Sequence, residues 1–371
     1  MKVLLCSPYE PVIKENAGGI AVWAKNVMEH HAKVGGADVR VLPYNRSIYV
    51  HDGLNRLVRM YKGAKDYLGL MWQTRCCIKK EKYDVLHLCS SALMSILRDY
   101  IVMRMARRNG VAGVLHFHCG RIPGLAKANN WRWKVLKKAV AQASAVIVLD
   151  EMSYKVLKDN GFDNVYKVPN PLSADMMRDI EAGRGKCSRV PRRLLFVGHV
   201  LPSKGVNELV EACASIPDVE LRIVGRAEKA VSDELMRAAS VKDGEWMHLL
   251  GEKAHEEVLR EMQECDMFLF PSYTEGFPNV IIEAMACGTP IVTTGVGAIP
   301  EMLDTGDGRN AGVIVPVRDA VALREAVIGL MDDDGRKKEF SRLSVQRVND
   351  AYAVGIVWEQ LLSIWGNAAH L

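Results

Sequence analysis

Short apolar or β-branched runs alternate with amphipathic stretches along all 371 residues. In the first half the runs are VLLC (3–6), DVRVL (38–42), VLHL (85–88), GVLHFH (113–118), AVIVL (145–149) and VYKV (165–168). In the second half they are RLLFVG (193–198), VELRIVG (219–225), MHLLG (247–251), MFLFP (267–271), PIVTT (290–294) and GVIVP (312–316). Helical periodicity fills the spaces between them, for example over 20–34 and 131–143. Strands that are apolar almost throughout, separated by helices, predict parallel sheets covered on both faces. One such series per half predicts an α/β protein of two doubly wound domains.

The expected boundary is residues 173–191, with domains at 1–172 and 192–351. The segment 170–191 has little apolar periodicity and is rich in charge, Gly and Pro, as a linker is. Beyond the second domain, 352–365 carries a wide apolar face of Tyr352, Ile356, Val357, Leu361, Leu362 and Ile364, which predicts a helix. The acidic run Asp332–Asp334, followed by Gly335, reads as a solvated helix end and not a metal site.

Composition narrows the class. With 49% hydrophobic and 25% charged residues the chain is an ordinary globular one, neither disordered nor fibrous. Runs such as AVIVL and MFLF fall far short of the ~20 apolar residues that span a bilayer. Only VLLC separates Met1-Lys2 from Ser7-Pro8, too short for the apolar region of a secretory signal. Nine cysteines without a CxxC pair point to a reduced, cytoplasmic setting, with neither a disulfide framework nor a zinc site.

The net charge of +5 hides an uneven split. Residues 1–185 hold 29 Lys/Arg against 16 Asp/Glu, an excess of +13, whereas residues 186–371 hold 20 against 28, an excess of −8. A basic half of this kind meets an anionic partner. No nucleic-acid-binding motif is present, which leaves an anionic membrane surface. The cations gather in 56–82 (Arg56, Arg59, Lys62, Lys65, Arg75, Lys79, Lys80, Lys82) and 121–138 (Arg121, Lys127, Arg132, Lys134, Lys137, Lys138). Leu57, Met60, Tyr61, Leu68, Leu70, Met71 and Trp72 interleave the first stretch, and Trp131 and Trp133 the second. This is the composition of a protein lying on the inner face of a membrane without crossing it.

Candidate chemistry sits in four places. In PSYTEGFPNVIIEAMACGTPIV (271–292), strand MFLFP delivers a loop with Glu275-Gly276, and Pro278 stands where an N1 proline would open a helix closed by Gly288. That helix presents its amino end beyond the carboxyl edge of a parallel sheet, which favours an anion. Glu275 in the loop and Glu283 within the helix can accept from the hydroxyls of a ribose or a sugar. A phosphorylated, hydroxyl-rich ligand fits both features. In FVGHVLPSKGVNELV (196–210), Lys204-Gly205 precedes a helix and can set a point charge against phosphate oxygens. Gly18-Gly19 opens another helix and lets a ligand approach the backbone closely. In LHFHCGR (115–121), His116 and His118 share a strand face, and His118 is nearer the strand's carboxyl end. Neither a dinucleotide fingerprint nor a Walker lysine, metal-ligand spacing or GxSxG elbow occurs.

Taken with the flanking FPSYT and GVGAIPEML, the run EGFPNVIIEAMACGTPIV resembles the Glu-x7-Glu signature of retaining glycosyltransferase family 4. The resemblance extends in order through the early GG loop, the FH strand, VPNPL, VG..LPSKG and LRIVG. It implies a GT-B fold: two facing Rossmann-like domains, a cleft between them, and a carboxyl-terminal helix (352–371) returning to the first domain. It implies Glu283 on the donor ribose, Glu275 on the transferred sugar, and Lys204 on the diphosphate with Gly18 and Gly19. Gly276, Phe277, Asn279 and Val280 complete the donor loop and helix start, His118 contacts the donor sugar near the reacting carbon, and Asn170 faces the interdomain cleft. One position departs from the family pattern: His199 stands where an Arg usually joins the lysine on the diphosphate. Arg226, after Gly225, is the candidate replacement.

The implied activity is retaining transfer from a nucleotide-diphosphate sugar, with UDP-sugar preferred, to a glycan or polyprenyl-linked glycan in surface polysaccharide synthesis. No metal or other cofactor is expected, since Lys204 and helix amino ends take the charge of the leaving phosphate. A sugar-nucleotide 2-epimerase of the same architecture, and a degenerate transferase serving as a complex partner, are the alternatives.

Overall fold

The structure, a computed structural model, describes residues 1–9, 18–44, 56–92, 95–184, 187–304 and 306–370. All twelve expected strands form. The first six are β1 (Lys2–Ser7), β2 (Asp38–Pro43), β3 (Val85–Ser90), β4 (Ala112–Phe117), β5 (Ala145–Val148) and β6 (Val165–Lys167). The second six are β7 (Val190–Val197), β8 (Glu220–Val224), β9 (Met247–Gly251), β10 (Cys265–Phe270), β11 (Ile291–Thr294) and β12 (Val313–Val315). They build two separate six-stranded sheets, ordered β2-β1-β3-β4-β5-β6 and β12-β11-β10-β7-β8-β9. Every pairing between these strands is parallel.

The continuous apolar runs have the cause anticipated for them. β3 and β10 are buried at every residue, because helices cover both faces and successive side chains point to opposite ones. In β1, Leu4 and Cys6 enter one core with Leu86, Leu88, Leu115 and Phe117. Val3 and Leu5 enter the other with Val85, Val114, Trp23, Trp358 and Trp365. Polar residues appear where a strand becomes an edge, as at Asp38 and Arg40 of β2.

The chain divides into two compact units, Met1–Ser173 with the segment from Val354 on, and Ala174–Ala353. The expected linker is not structureless. Ala174–Gly183 is a helix that buries Ile180, and it belongs to the second unit, where Gln263 Nε2 donates to the Ile180 carbonyl at 2.8 Å. The high charge of 170–191 hid one apolar residue per turn or so, which is enough when a neighbour supplies the other half of the packing. Residues 185 and 186 lie outside the described ones.

The carboxyl-terminal helix runs over Val354–Ala369. A wide π-type turn, Val348–Tyr352, precedes it, and Val354 N–H donates to the Leu172 carbonyl at 3.1 Å. Val357, Trp358, Leu361, Ile364, Trp365 and Ala368 are buried in the first unit. Full burial of one large apolar side chain is worth roughly 1.5–3 kcal/mol, so this face anchors the helix. Asp332 and Asp333 lie where one helix ends and the next begins, and Asp333 caps the second by accepting from Arg336 N–H at 2.9 Å.

Candidate functional site

In the second unit the strand order runs outward in opposite senses from the adjacent pair β7 and β10. Such a reversal opens a crevice beyond the carboxyl ends of the two strands. β7 leads through Gly198 and His199 to the tight turn Pro202–Lys204, and β10 leads into the loop holding Glu275. Lys204 Nζ donates to Glu275 Oε1 at 2.5 Å. The lysine side chain is 24% exposed and the glutamate 11%, so both charges sit in a shallow recess.

Backbone contacts bind the two loops together. Tyr273 N–H donates to the Ser203 carbonyl at 3.0 Å, and Gly205 adopts φ +70 where a Cβ would stand 2.0 Å from the Pro271 oxygen. Only glycine permits that approach. Tyr273 Oη donates to Glu208 Oε1 at 2.5 Å. Burial, together with Glu208, pushes the phenol up to about 12, which keeps its proton in place. Behind Glu275, Ala298 N–H donates to the Gly276 carbonyl at 2.9 Å.

Gly225 closes β8 against β7. At φ +141 its absent Cβ would lie 1.9 Å from the Gly198 oxygen, and Val200 N–H donates to the Arg226 carbonyl at 2.9 Å. His199 and Arg226 are therefore carried on laced loops, and both are exposed. Helix Asn279–Ala286 follows the Glu275 loop, and Pro278 occupies its cap position, not its first turn. The backbone of Pro278 is extended there (ψ 112), so the helix begins one residue later than expected. Phe277 packs edge-on against Tyr352, ring centroids 6.0 Å apart. Gly276, Asn279 and Val280 are partly accessible. So is Glu283, whose pKa is raised by desolvation, with His255 pulling the other way.

The first unit holds the remaining candidates. Helix Gly19–Val34 opens at Gly18-Gly19, where a Cβ on either glycine would meet nothing within 4 Å among the described residues. The same helix carries Trp23, which packs edge-on against His118 at 4.8 Å between centroids. His118 follows β4 and donates its backbone N–H to the Ser90 carbonyl at 2.8 Å. It is partly accessible, whereas His116 is fully buried. Asn170 is buried next to Pro171, whose carbonyl accepts from Asn26 Nδ2 at 3.1 Å.

The structure thus joins Lys204 to Glu275, laces the loop of His199 to that of Arg226 through Val200, and links the Gly18-Gly19 helix to His118. Sequence reasoning missed Tyr273, Glu208, Trp23, His87 and Trp365. It also expected no metal-type cluster, yet ligand atoms of His87, Cys89 and His116 lie within 4.8 Å of one another. Two of these come from β3 and one from β4, and no linear spacing reveals a cross-strand group.

Residues 17–175 match the family described as Glycosyltransferase Family 4. Residues 191–333 match that described as Glycosyl transferases group 1. The chain belongs to the family 4 type of glycosyltransferase, and its fold is GT-B. An uncharacterized glycosyltransferase of Methanocaldococcus jannaschii is 23% identical over 358 residues, covering 91% of this chain and 90% of that one. A phosphatidyl-myo-inositol mannosyltransferase of Mycolicibacterium smegmatis is 33% identical over 205 residues, 54% of this chain and 51% of its own length. Among solved structures, the sucrose-phosphate synthase of Thermosynechococcus elongatus superposes with a TM-score of 0.75 at 19% identity, covering 98% of both chains. HepE of Anabaena in complex with UDP-glucose superposes with a TM-score of 0.68 at 17% identity, covering 100% of both.

Proposed function

We propose that the protein transfers a sugar from a nucleotide-diphosphate sugar to a glycan or lipid-linked glycan, with retention at the anomeric carbon. The observation that carries this reading is the Lys204–Glu275 pair beyond β7 and β10. A cation for a diphosphate and a carboxylate for sugar hydroxyls stand there side by side. Glu283 accepts from the ribose hydroxyls, and Arg226 stands in for the missing arginine at His199. Gly18-Gly19 admits the diphosphate to the backbone of the first unit, and His118 contacts the sugar.

In the reaction the bond from the anomeric carbon to the β-phosphate oxygen breaks and its electron pair goes to that oxygen. The acceptor hydroxyl oxygen bonds to the same face of the carbon, and its proton passes to the departing phosphate. Lys204 and the backbone amides stabilise the growing negative charge, so no divalent metal is required. The complexes of HepE with UDP and UDP-glucose favour a UDP-sugar as donor.

The membrane surface also has structural support. In helix Arg56–Lys80, Val58, Tyr61, Leu68 and Trp72 are 39%, 72%, 64% and 67% exposed. They recur at three- and four-residue steps with exposed Lys65, Arg75 and Lys79, which places all seven on one helix face. Leu70, Met71 and Trp133 belong instead to the core. The side chains of Arg56, Leu57, Arg59, Met60 and Lys62 lie outside the described ones. Trp131 adds a third exposed aromatic. No described helix is long and apolar enough to cross a membrane, so attachment would be peripheral.

A panel of nucleotide sugars tests the activity. One donor should raise the melting temperature and support transfer, and proton NMR of the product should show the donor's anomeric configuration kept. An inverted product would overturn retention, and conversion of donor alone to its 2-epimer would replace transfer with isomerisation. Activity abolished by EDTA and restored by magnesium would overturn the metal-free site.

A further inference from the structure

Beneath His118 lies a buried column of ring nitrogens drawn from two strands and the carboxyl-terminal helix. Trp365 Nε1 donates to His87 Nδ1 at 2.9 Å, and His87 Nε2 lies 3.2 Å from His116 Nδ1. The His116 ring stacks on His118 with centroids 3.8 Å apart and planes 29° apart. Trp23 closes the side, edge-on to both His116 and His118.

An indole N–H can only donate, and this sets the direction of the whole column. His87 must present a lone pair at Nδ1. Burial holds its pKa down at about 3, so it is neutral and carries its one proton on Nε2. That proton is donated to His116 Nδ1. His116 is likewise held neutral and so carries its proton on Nε2. The same logic disposes of the cluster with Cys89 as a metal site. A metal on His87 Nε2 would require the proton on Nδ1, facing the indole donor with a second donor.

We infer that Trp365 is a positioning residue for His118: its N–H, through His87 and His116, fixes the imidazole against which the His118 ring is stacked. Without that N–H, His87 Nδ1 is a buried acceptor with no donor, which costs free energy. The ring is then free to change tautomer or flip. His116 loses its defined donor, and the platform under His118 loosens. This inference rests on the reading of His118 as a contact to the donor sugar.

The same helix supplies the control. Trp358 is 1% exposed, its ring centroid is 5.4 Å from that of Trp365, and its Nε1 has no hydrogen-bond partner among the described residues. Trp365→Phe and Trp358→Phe each delete an indole N–H from the same buried face, and only the first deletes a hydrogen bond. In the full-length enzyme, Trp365→Phe should lower kcat roughly tenfold, with donor KM and nucleotide Kd unchanged. Trp358→Phe should leave kcat unchanged. Equal kcat in the two variants, whether unchanged or reduced, would overturn the positioning role. Nitrogen-15 correlation spectra should show His87 and His116 as Nε2–H tautomers in the unsubstituted protein. A Nδ1–H tautomer at His87 would overturn it independently. His118→Ala separates the two readings. If it retains full turnover, the reading of His118 fails and the positioning role falls with it. If it is inactive while the two Trp variants match, the positioning role alone fails.

Discussion

Lys204 Nζ lies 2.5 Å from Glu275 Oε1, and this makes an unusual expectation for Glu275→Gln. A diphosphate oxygen that takes up the same ammonium would come to rest about 5 Å from the carboxylate, given charge-assisted contacts of about 2.8 Å. Two like unit charges at ~5 Å repel by roughly 3 kcal/mol at an effective dielectric of about 20, and by roughly 1 kcal/mol in water. The pair is partly exposed, 24% and 11%, so the relief on neutralising Glu275 should fall between those limits. Glu275→Gln should therefore bind bare UDP more tightly, by roughly five- to a hundredfold, while its turnover falls because a sugar contact has been weakened. Titration calorimetry with UDP gives the affinity, and initial rates with the preferred donor give the turnover. Product inhibition by UDP should strengthen in parallel. Unchanged or weaker UDP binding in Glu275→Gln, in a variant whose melting shows an intact fold, would refute the reasoning. It would mean that Lys204 does not serve the diphosphate.

Three further outcomes can be checked. The pKa of Glu283 is raised by burial above the ordinary value of 4.5, so the native state holds its proton to higher pH than the unfolded state does. Stability then falls as pH rises through that window. Glu283→Gln should raise the melting temperature of the unliganded protein at neutral pH, lose that gain below about pH 4.5, and weaken nucleotide binding roughly ten- to a hundredfold. A melting temperature unaffected at neutral pH would contradict the burial argument. Gly225→Ala must place a Cβ 1.9 Å from the backbone oxygen of Gly198. Urea melts should show a loss of about 2–5 kcal/mol, and a smaller loss would show that the two loops can separate. The protein should sediment with anionic liposomes at low salt and be released at high salt. At ~1 kcal/mol for each engaged cation, the triple reversal Lys65→Glu, Arg75→Glu, Lys79→Glu should abolish sedimentation and leave UDP affinity intact. Equal recovery with neutral and anionic liposomes would remove the membrane from the account.

The strands were legible because parallel strands under helices are apolar on both faces, and runs such as MFLF and AVIVL have no polar alternation to confuse them. Ala174–Gly183 was not legible for the opposite reason. Its local composition resembles a linker, and the packing partner that makes it a helix, Gln263 with its neighbours, lies some eighty positions away. Val354–Ala369 shows where periodicity suffices. Trp358, Leu361, Ile364, Trp365 and Ala368 repeat at helical steps, so the apolar face is written in the chain itself. Which unit it covers is a tertiary fact. The resemblance implied the first domain, and the burial of Val357, Trp358 and Trp365 with Val3, Leu5 and Val85 shows it.

The candidate site divides along the same line. Lys204 and Glu275 could be picked out because each precedes a helix start with its own local grammar of Gly and Pro, and Glu283 because it lies eight positions beyond Glu275 inside the helix that follows. Their states could not, because a state depends on what the fold brings near. Glu275 and Lys204 are 71 positions apart, and only the pairing of β7 with β10 makes them one ion pair. Tyr273 carries no signal until Glu208 is found beneath it, and His87 looks like any strand residue until Trp365 is found 278 positions later. The consequence is chemical as well as descriptive. Read as separate residues, the lysine and the glutamate add their attractions for a donor. Read as a pair, they make donor binding the approach of a second anion to a lysine that already holds one. Sharing of this kind predicts that neutralising the resident carboxylate helps the diphosphate and harms the sugar.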